Sequence, residues 1–228
     1  RGTLQVADSP QNNGGTYTHN NGTFEFNSGA GSQDWNAGGS GTAFTFHNVT
    51  IANAAVNQYR SDTIEGTLTI NSSKKLQVRG TNTAVLTMGT SSAAGTIANS
   101  GTMTFTDNTS NNAEVSGASN LFPVSCTGTD WDWDNGGSGS KVKISNIDYD
   151  PDITTGGGGV TITLTGDCEF DAVTVSSGDT LDLNGQRMEC SGDVSVAGTI
   201  DFGAGLFVGA GLDIDGTADG ETGADIIL

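Results

Sequence analysis

The stretch DWNAGGSGTAFTFHNVT, residues 34–50, returns as DWDNGGSGSKVKISNID at residues 132–148. Aligned without a gap, Asp34/Asp132, Trp35/Trp133, Gly38/Gly136, Gly39/Gly137, Ser40/Ser138, Gly41/Gly139 and Asn48/Asn146 are identical. The apolar positions correspond too: Phe44 with Val142, Phe46 with Ile144, Val49 with Ile147. Working outward at the same offset, Phe24 and Phe26 meet Phe122 and Val124, and Tyr17 meets Val115. Further along, TLTINSSKKLQVRG (67–80) aligns with AVTVSSGDTLDLNG (172–185), the change of offset fitting an insertion at DPDITTGGGGV (151–160). SGTMTF (100–105) then meets AGTIDF (197–202). Internal similarity on this scale is the mark of a repeat architecture. The chain divides into a lead-in segment 1–15, a first unit 16–112, a second unit 113–210, and a C-terminal tail 211–228 that reads as continuing into a truncated or partner segment. Arg1 likewise reads as the start of a piece excised from a longer chain.

Within both units the pattern has period two. TFEF, TAFTFHNVTI, TLTI, KLQV, VLTM and TMTF alternate apolar side chains with Thr, Gln or Asn, and VTITL, DAVTV, TLDL, RMEC, DVSV and TIDF repeat the habit. Alternation over four to six residues marks half-buried strands, and no stretch sustains the three-four spacing of a helix. The strands are short, recur every seven to ten residues, and are separated by Gly, Asn, Ser and Asp. That rhythm predicts a right-handed parallel β-solenoid with about three strands per turn of roughly 20–25 residues. Gly and Asn suit its corners because they tolerate positive φ. The alternative is two β-sandwich domains, one per unit, which ordinarily use longer strands and clearer hairpins.

Composition and charge narrow the function. Glycine, at 35 of 228 residues, is roughly twice its ordinary share, yet there is no Gly-X-Y period to suggest collagen. Residues 1–112 carry six acids and five bases, whereas residues 113–228 carry twenty acids and three bases. A polyanionic half repels nucleic acid and anionic membranes, so neither is an expected partner. No apolar run approaches the length of a membrane span.

Candidate sites are few. Cys126, Cys168 and Cys190 have no metal-type spacing and, with only two histidines, give no zinc motif. Cys168 and Cys190 stand roughly one solenoid turn apart, which allows either a disulfide between stacked strands or two buried thiols. Trp35 and Trp133 either fill the core at a bend or form exposed platforms for stacking a glycan ring. Three acidic clusters are candidate Ca²⁺ sites: Asp130, Asp132 and Asp134; Asp148, Asp150 and Asp152; and Asp213, Asp215, Asp219 and Glu221. Alternation puts each of the first two sets on one face of a strand, while the third departs from the spacing of a calcium loop. The carboxylates of the second unit, Asp179, Asp182 and Glu189 among them, supply many candidates for glycosidase chemistry but no motif. His19 and His47 sit in Thr- and Asn-rich sequence without a catalytic pattern, and Ser145 replaces His47 in the second unit, so both read as structural. No catalytic residue and no required cofactor is expected.

FHNVTIANA, TIEGTLTINSSKKLQV and DAVTVSSGDTLDLNGQRMECSGDVSVAGTIDF resemble the Gly/Thr/Asn-rich β-helical regions of tailed-bacteriophage fibre, spike and virion-surface proteins and of bacterial surface adhesins. The resemblance runs from about residue 16 through most of the chain and rests on composition and rhythm. It implies a non-enzymatic structural or attachment module at a virion surface or another extracellular site. The implied partners are other virion or surface proteins, host cell-surface glycans and further copies of the chain, a trimer being the favoured assembly. A fragment of a bacterial adhesin or filament is the alternative, and a tailspike-like polysaccharide-degrading enzyme the second.

Overall fold

Why these short segments become strands is visible in their burial. In Thr23–Phe26, Asn48–Ile51, Thr67–Ile70, Val85–Met88 and Thr161–Leu164, every second side chain is buried and the others are partly exposed. A pleated strand sends alternate side chains to opposite sides, so each of these can serve a core on one side and water on the other. The computed structural model describes residues 2–29, 31–36, 42–79, 85–106, 113–118, 124–127, 131–132, 141–145, 147–149, 153–155, 159–220 and 223–228. Among them there is no helix, and the strands stack in parallel as a β-solenoid of about eight turns. The only antiparallel contact among the described residues is one bridge, Thr90 with Ala93. Two antiparallel sandwiches are thereby excluded.

Three faces run along the coil. Among the described residues face A has 13 strands, face C nine, and face B five, the last formed by Ser32–Trp35, Ala55–Gln58, Lys75–Arg79, Thr102–Thr106 and Trp131–Asp132. Face A begins with Thr3–Val6 and Thr23–Phe26; face C begins with Thr45–Phe46 and Asp62–Ile64. Turn length follows from the pairing on face A. Phe24 lies beside Val49, Val49 beside Leu68, and Leu68 beside Ile97, so no two of these early turns are equal in length. Late turns are more even. Cys168 lies beside Met188, and Met188 beside Phe207, steps that are nearly equal and shorter than the average early one.

The repeated phrase returns to the same three faces four turns apart, in register on one of them only. On face B, Asp34 and Asp132 stand in one column. On faces C and A the copy is displaced by two residues, so that Ile144 stands in the column of Leu86 and Asp62 rather than that of Phe46, and Val49 in the column of Tyr149 rather than that of Ile147. The later alignment behaves differently. Lys75–Arg79 and Thr102–Thr106 are on face B, whereas their sequence counterparts Thr180–Asp182 and Thr199–Asp201 are on face C. What was copied there is a corner. Lys74 N–H donates to Asn71 O, and Asp179 N–H donates to Ser176 O, closing the same tight turn. Ser73 and Gly178 hold the same left-handed position in it, with φ of 62° and 92°. One turn up, Gly101 and Gly198 sit directly over those corners, where a Cβ would lie well under 3.0 Å from the turn's carbonyl oxygens. These two glycines serve close approach rather than positive φ.

In the later turns the third strand position persists but becomes continuous with face A: Ile153–Thr154 pairs with Val173–Val175, which pairs with the second half of a longer strand. Val173–Val175 follows Cys168–Phe170 after two residues, and the next turn runs through both positions as one strand, Arg187–Val196, with a register shift between Cys190 and Asp193. Residues 211–214 complete the strand Leu206–Ile214, and Thr217–Asp219 and Asp225–Ile227 pair in turn with the coil. The expected tail is therefore part of the solenoid. The lead-in is as well, since Thr3–Val6 pairs in register with Thr23–Phe26.

Among the described side chains, the core is one apolar cluster with members from Phe24 to Phe207. Its first turns are aromatic: Trp35 is fully buried, with ring centroids 5.1 Å from Phe26 and 5.5 Å from Phe46. A buried indole cannot stack a glycan, which corrects the surface-platform reading of Trp35; Trp133 lies outside the described residues. The disulfide reading is also corrected. Cys168 faces Met188, and Cys190 faces Phe170, because the turn here is slightly shorter than the separation of the two thiols. A two-residue slip keeps both side chains inward but leaves their Cα atoms about 8 Å apart, beyond bridging distance. All three cysteines are buried, and none is in a disulfide. Burial, with Glu189 and Asp171 nearby, pushes the Cys190 thiol up to about 12, which keeps it an unreactive core group.

Candidate functional site

The corner between faces C and A brings together the two histidines that the sequence left without a role. His47 is the single residue between Thr45–Phe46 and Asn48–Ile51, and Glu65 follows Asp62–Ile64 one turn later. His19 precedes Thr23–Phe26 at the corresponding corner one turn earlier. Backbone bonds stack the three corners: Asn48 N–H donates to Gly22 O, Gly66 N–H to His47 O, and Glu65 N–H to Phe46 O. Gly66 permits this, because a Cβ there would meet Asn48 Oδ1 and His47 O at 2.6 and 2.9 Å.

The imidazole rings are stacked, with centroids 5.7 Å apart and planes 14° from parallel. His19 Nε2 lies 3.3 Å, and His47 Nδ1 4.0 Å, from the same Glu65 oxygen. His19 Nδ1 accepts the Asn21 backbone N–H at 3.0 Å, so in the neutral ring the proton sits on Nε2, the atom that faces Glu65. His47 Nδ1 is shielded from solvent and has no hydrogen-bond partner. One ligand atom from each residue falls within a 4.8 Å cluster, and the side chains are partly exposed, between 19% and 34%. His19 also borders an open groove of about 440 Å³ lined by Gly2, Thr3, Leu4 and Tyr17.

The acidic candidates distribute otherwise. Asp213 is exposed on a face A strand, Asp215 in the bend after it, and Asp219 on a face C strand, so they form no shared site. Asp132 and Asp148 belong to strands on faces B and A; Asp130, Asp134, Asp150, Asp152 and Glu221 lie outside the described residues. Register reveals columns that the linear clusters did not suggest. Asp182, Asp201 and Asp219 are successive partners on face C, and Glu169 partners Glu189 on face A. Adjacent strands are about 4.8 Å apart, so like charges in a column repel across that distance. Local bonds soften it: Asp182 accepts from Asn184 N–H, Asp201 from Gly203 N–H, and Arg187 pairs with Glu189.

Two aspartates are buried at the start of face C strands. Asp179 accepts the Gly159 and Val160 N–H groups at 2.8 and 2.9 Å. Asp62 accepts Phe44 N–H at 2.6 Å and the Asn36 amide at 3.4 Å, while its other oxygen is buried without a partner. Burial raises the Asp62 carboxyl to about 7, against the lowering effect of those two bonds. Asp179 and Asp62 thus tie the corner of one turn to that of the turn below.

The fold defines the class of the molecule, a parallel β-solenoid protein. No family model matches the chain, and no curated protein or solved structure shows significant similarity to it.

Proposed function

We propose that this chain is a non-enzymatic structural or attachment module of a bacteriophage virion, a fibre, spike or surface decoration. The observation that carries the reading is the unbroken stack of in-register parallel strands around one apolar column. Such a stack is rigid along its axis because each turn is hydrogen-bonded and packed to its neighbours. Its outward side chains are largely short and polar, as in the column Thr161, Thr180, Thr199, Thr217. The acidic second unit favours solubility and association through polar faces, with other surface proteins, host glycans and further copies of the chain as partners, a trimer in the favoured assembly. The setting that follows is the virion surface or another extracellular site.

Immunogold labelling with antibodies to the chain tests the setting. Decoration of fibres or spikes on phage particles is expected; labelling of bacterial envelopes instead would favour an adhesin or surface filament. Release of reducing ends from a broad panel of capsular polysaccharides would replace both readings with a depolymerising enzyme. Thiol oxidation does not separate phage from adhesin, because Cys168 and Cys190 are out of register in either compartment.

A further inference from the structure

We propose that His19, His47 and Glu65 bind one divalent transition-metal ion, and that this ion clamps the first three corners of the coil together. The donor set, two imidazoles and a carboxylate, suits zinc, nickel or copper(II) and is a poor cage for calcium, which prefers oxygen alone. Ligand atoms around a tetrahedral ion at 2.0–2.1 Å are separated by about 3.4 Å. His19 Nε2 and Glu65 already have that spacing, at 3.3 Å, and His47 Nδ1 is 4.0 Å from the same carboxylate oxygen. A 4.0 Å separation is too long for a hydrogen bond, yet a sub-ångström side-chain shift brings it to the ligand–ligand distance. Nδ1 of His47 is shielded from solvent and without a hydrogen-bond partner, and the ion would supply one.

One existing bond must yield. When Nε2 of His19 ligates, its proton moves to Nδ1, and the Asn21 N–H can no longer donate there. That bond belongs to an exposed turn, in which Asn20 and Asn21 have φ of 47° and 56°, so water can take up the Asn21 N–H when the ring no longer accepts it. The gain is mechanical. Residues 7–22 contain no strand, so His19 sits outside the ladders, and the ion would tie it to two regular corners. Partial exposure of all three side chains leaves the remaining coordination positions to water or to a group from another molecule.

The test is titration of the full chain with zinc chloride and copper(II) chloride in a non-chelating buffer, read by calorimetry, thermal unfolding and copper EPR. One ion per chain is expected, with nitrogen hyperfine coupling and affinity falling as pH is lowered and protons compete for the imidazoles. Saturating zinc should raise Tm by about 4 °C. His47→Gln and His19→Gln should each weaken binding at least about tenfold. Glu65→Gln, nearly isosteric, should do the same while leaving the circular dichroism unchanged, which separates ligand loss from misfolding. Copper held by oxygen donors alone, a nitrogen signature surviving in H19Q/H47Q, or no binding at roughly 100 µM ion would each overturn the assignment.

Discussion

The first turns and the last turns of this coil solve the same packing problem with different materials. Near the N-terminus, Trp35, Phe24, Phe26, Phe44 and Phe46 fill three-faced turns, and long or uneven corners are tolerated. Near the C-terminus, Leu181, Leu183, Met188, Val194, Val196 and Ile200 fill nearly equal turns in which one corner has straightened into a long strand. The same duplicated vocabulary supports both. The lesson is that the unit of copying is the corner and its flanking strands, while the cross-section is set by side-chain volume and by how many corners each turn includes.

Aromatic loss should show the contrast most strongly. Phe46→Ala removes a fully buried ring from the Trp35 cluster and is expected to cost about 3–5 kcal/mol, whereas Ile200→Val in the late turns should cost about 0.5–1.5 kcal/mol. Chemical denaturation of the two variants measures both, and equal costs would break the comparison.

The buried aspartate of the early turns gives the next effect. Asp62 has a folded carboxyl raised to about 7 above an ordinary value of 3.8. Between these values the folded state binds the extra proton, so this contribution to stability is complete below about pH 4 and is lost as pH rises through 7. Asp62→Asn should flatten that slope, by roughly 2–4 kcal/mol between about pH 4 and about pH 8. Parallel pH–stability curves for wild type and D62N would refute the account of this corner.

The copied corner offers a smaller, paired test. Gly101→Ala and Gly198→Ala should each destabilise by roughly 1–3 kcal/mol, since the new methyl meets backbone oxygen in both units. Ser73→Gly should stabilise by about 1 kcal/mol, because Ser73 holds the left-handed conformation that its counterpart Gly178 adopts without strain. Opposite signs at these neighbouring sites, measured by thermal unfolding, would sharpen the idea of corner duplication; equal signs would weaken it.

The smallest effect is electrostatic. Raising salt from about 20 mM to about 500 mM shortens the screening length from about 20 Å to about 4 Å. Hydrogen exchange should then slow severalfold in Thr180–Asp182 and Thr199–Asp201, whose acids stand in a column, and change little in Asn48–Ile51. Uniform slowing would deny the columns any energetic role.

Period two and the repeated phrase made the parallel coil legible, because alternation reports a strand's two sides regardless of turn length. Register was not legible. Cys168 and Cys190 looked like stacking partners one turn apart, but the turn is slightly shorter than their separation, which makes Cys168 the neighbour of Met188. His19, His47 and Glu65 were invisible for the same reason: the step from His19 to His47 is much longer than that from His47 to Glu65, and no fixed period unites them. Asp213 and Asp219 erred the other way, close in sequence yet on different faces. Gly101 and Gly198 show a further gap, since local sequence does not announce a carbonyl one turn below.

The in-register parallel stack is tested most directly by paired cysteines on face C. Thr180 and Thr199 are neighbours on adjacent turns, and Thr217 is one turn further. Parallel neighbours about 4.8 Å apart lie within disulfide reach, and positions two turns apart, at about 9.6 Å, do not. The chain carrying Thr180→Cys and Thr199→Cys should therefore close an intramolecular disulfide under mild oxidation, while Thr180→Cys with Thr217→Cys should not. Closure of the second pair, or failure of the first in a folded chain, would contradict a parallel coil with this register.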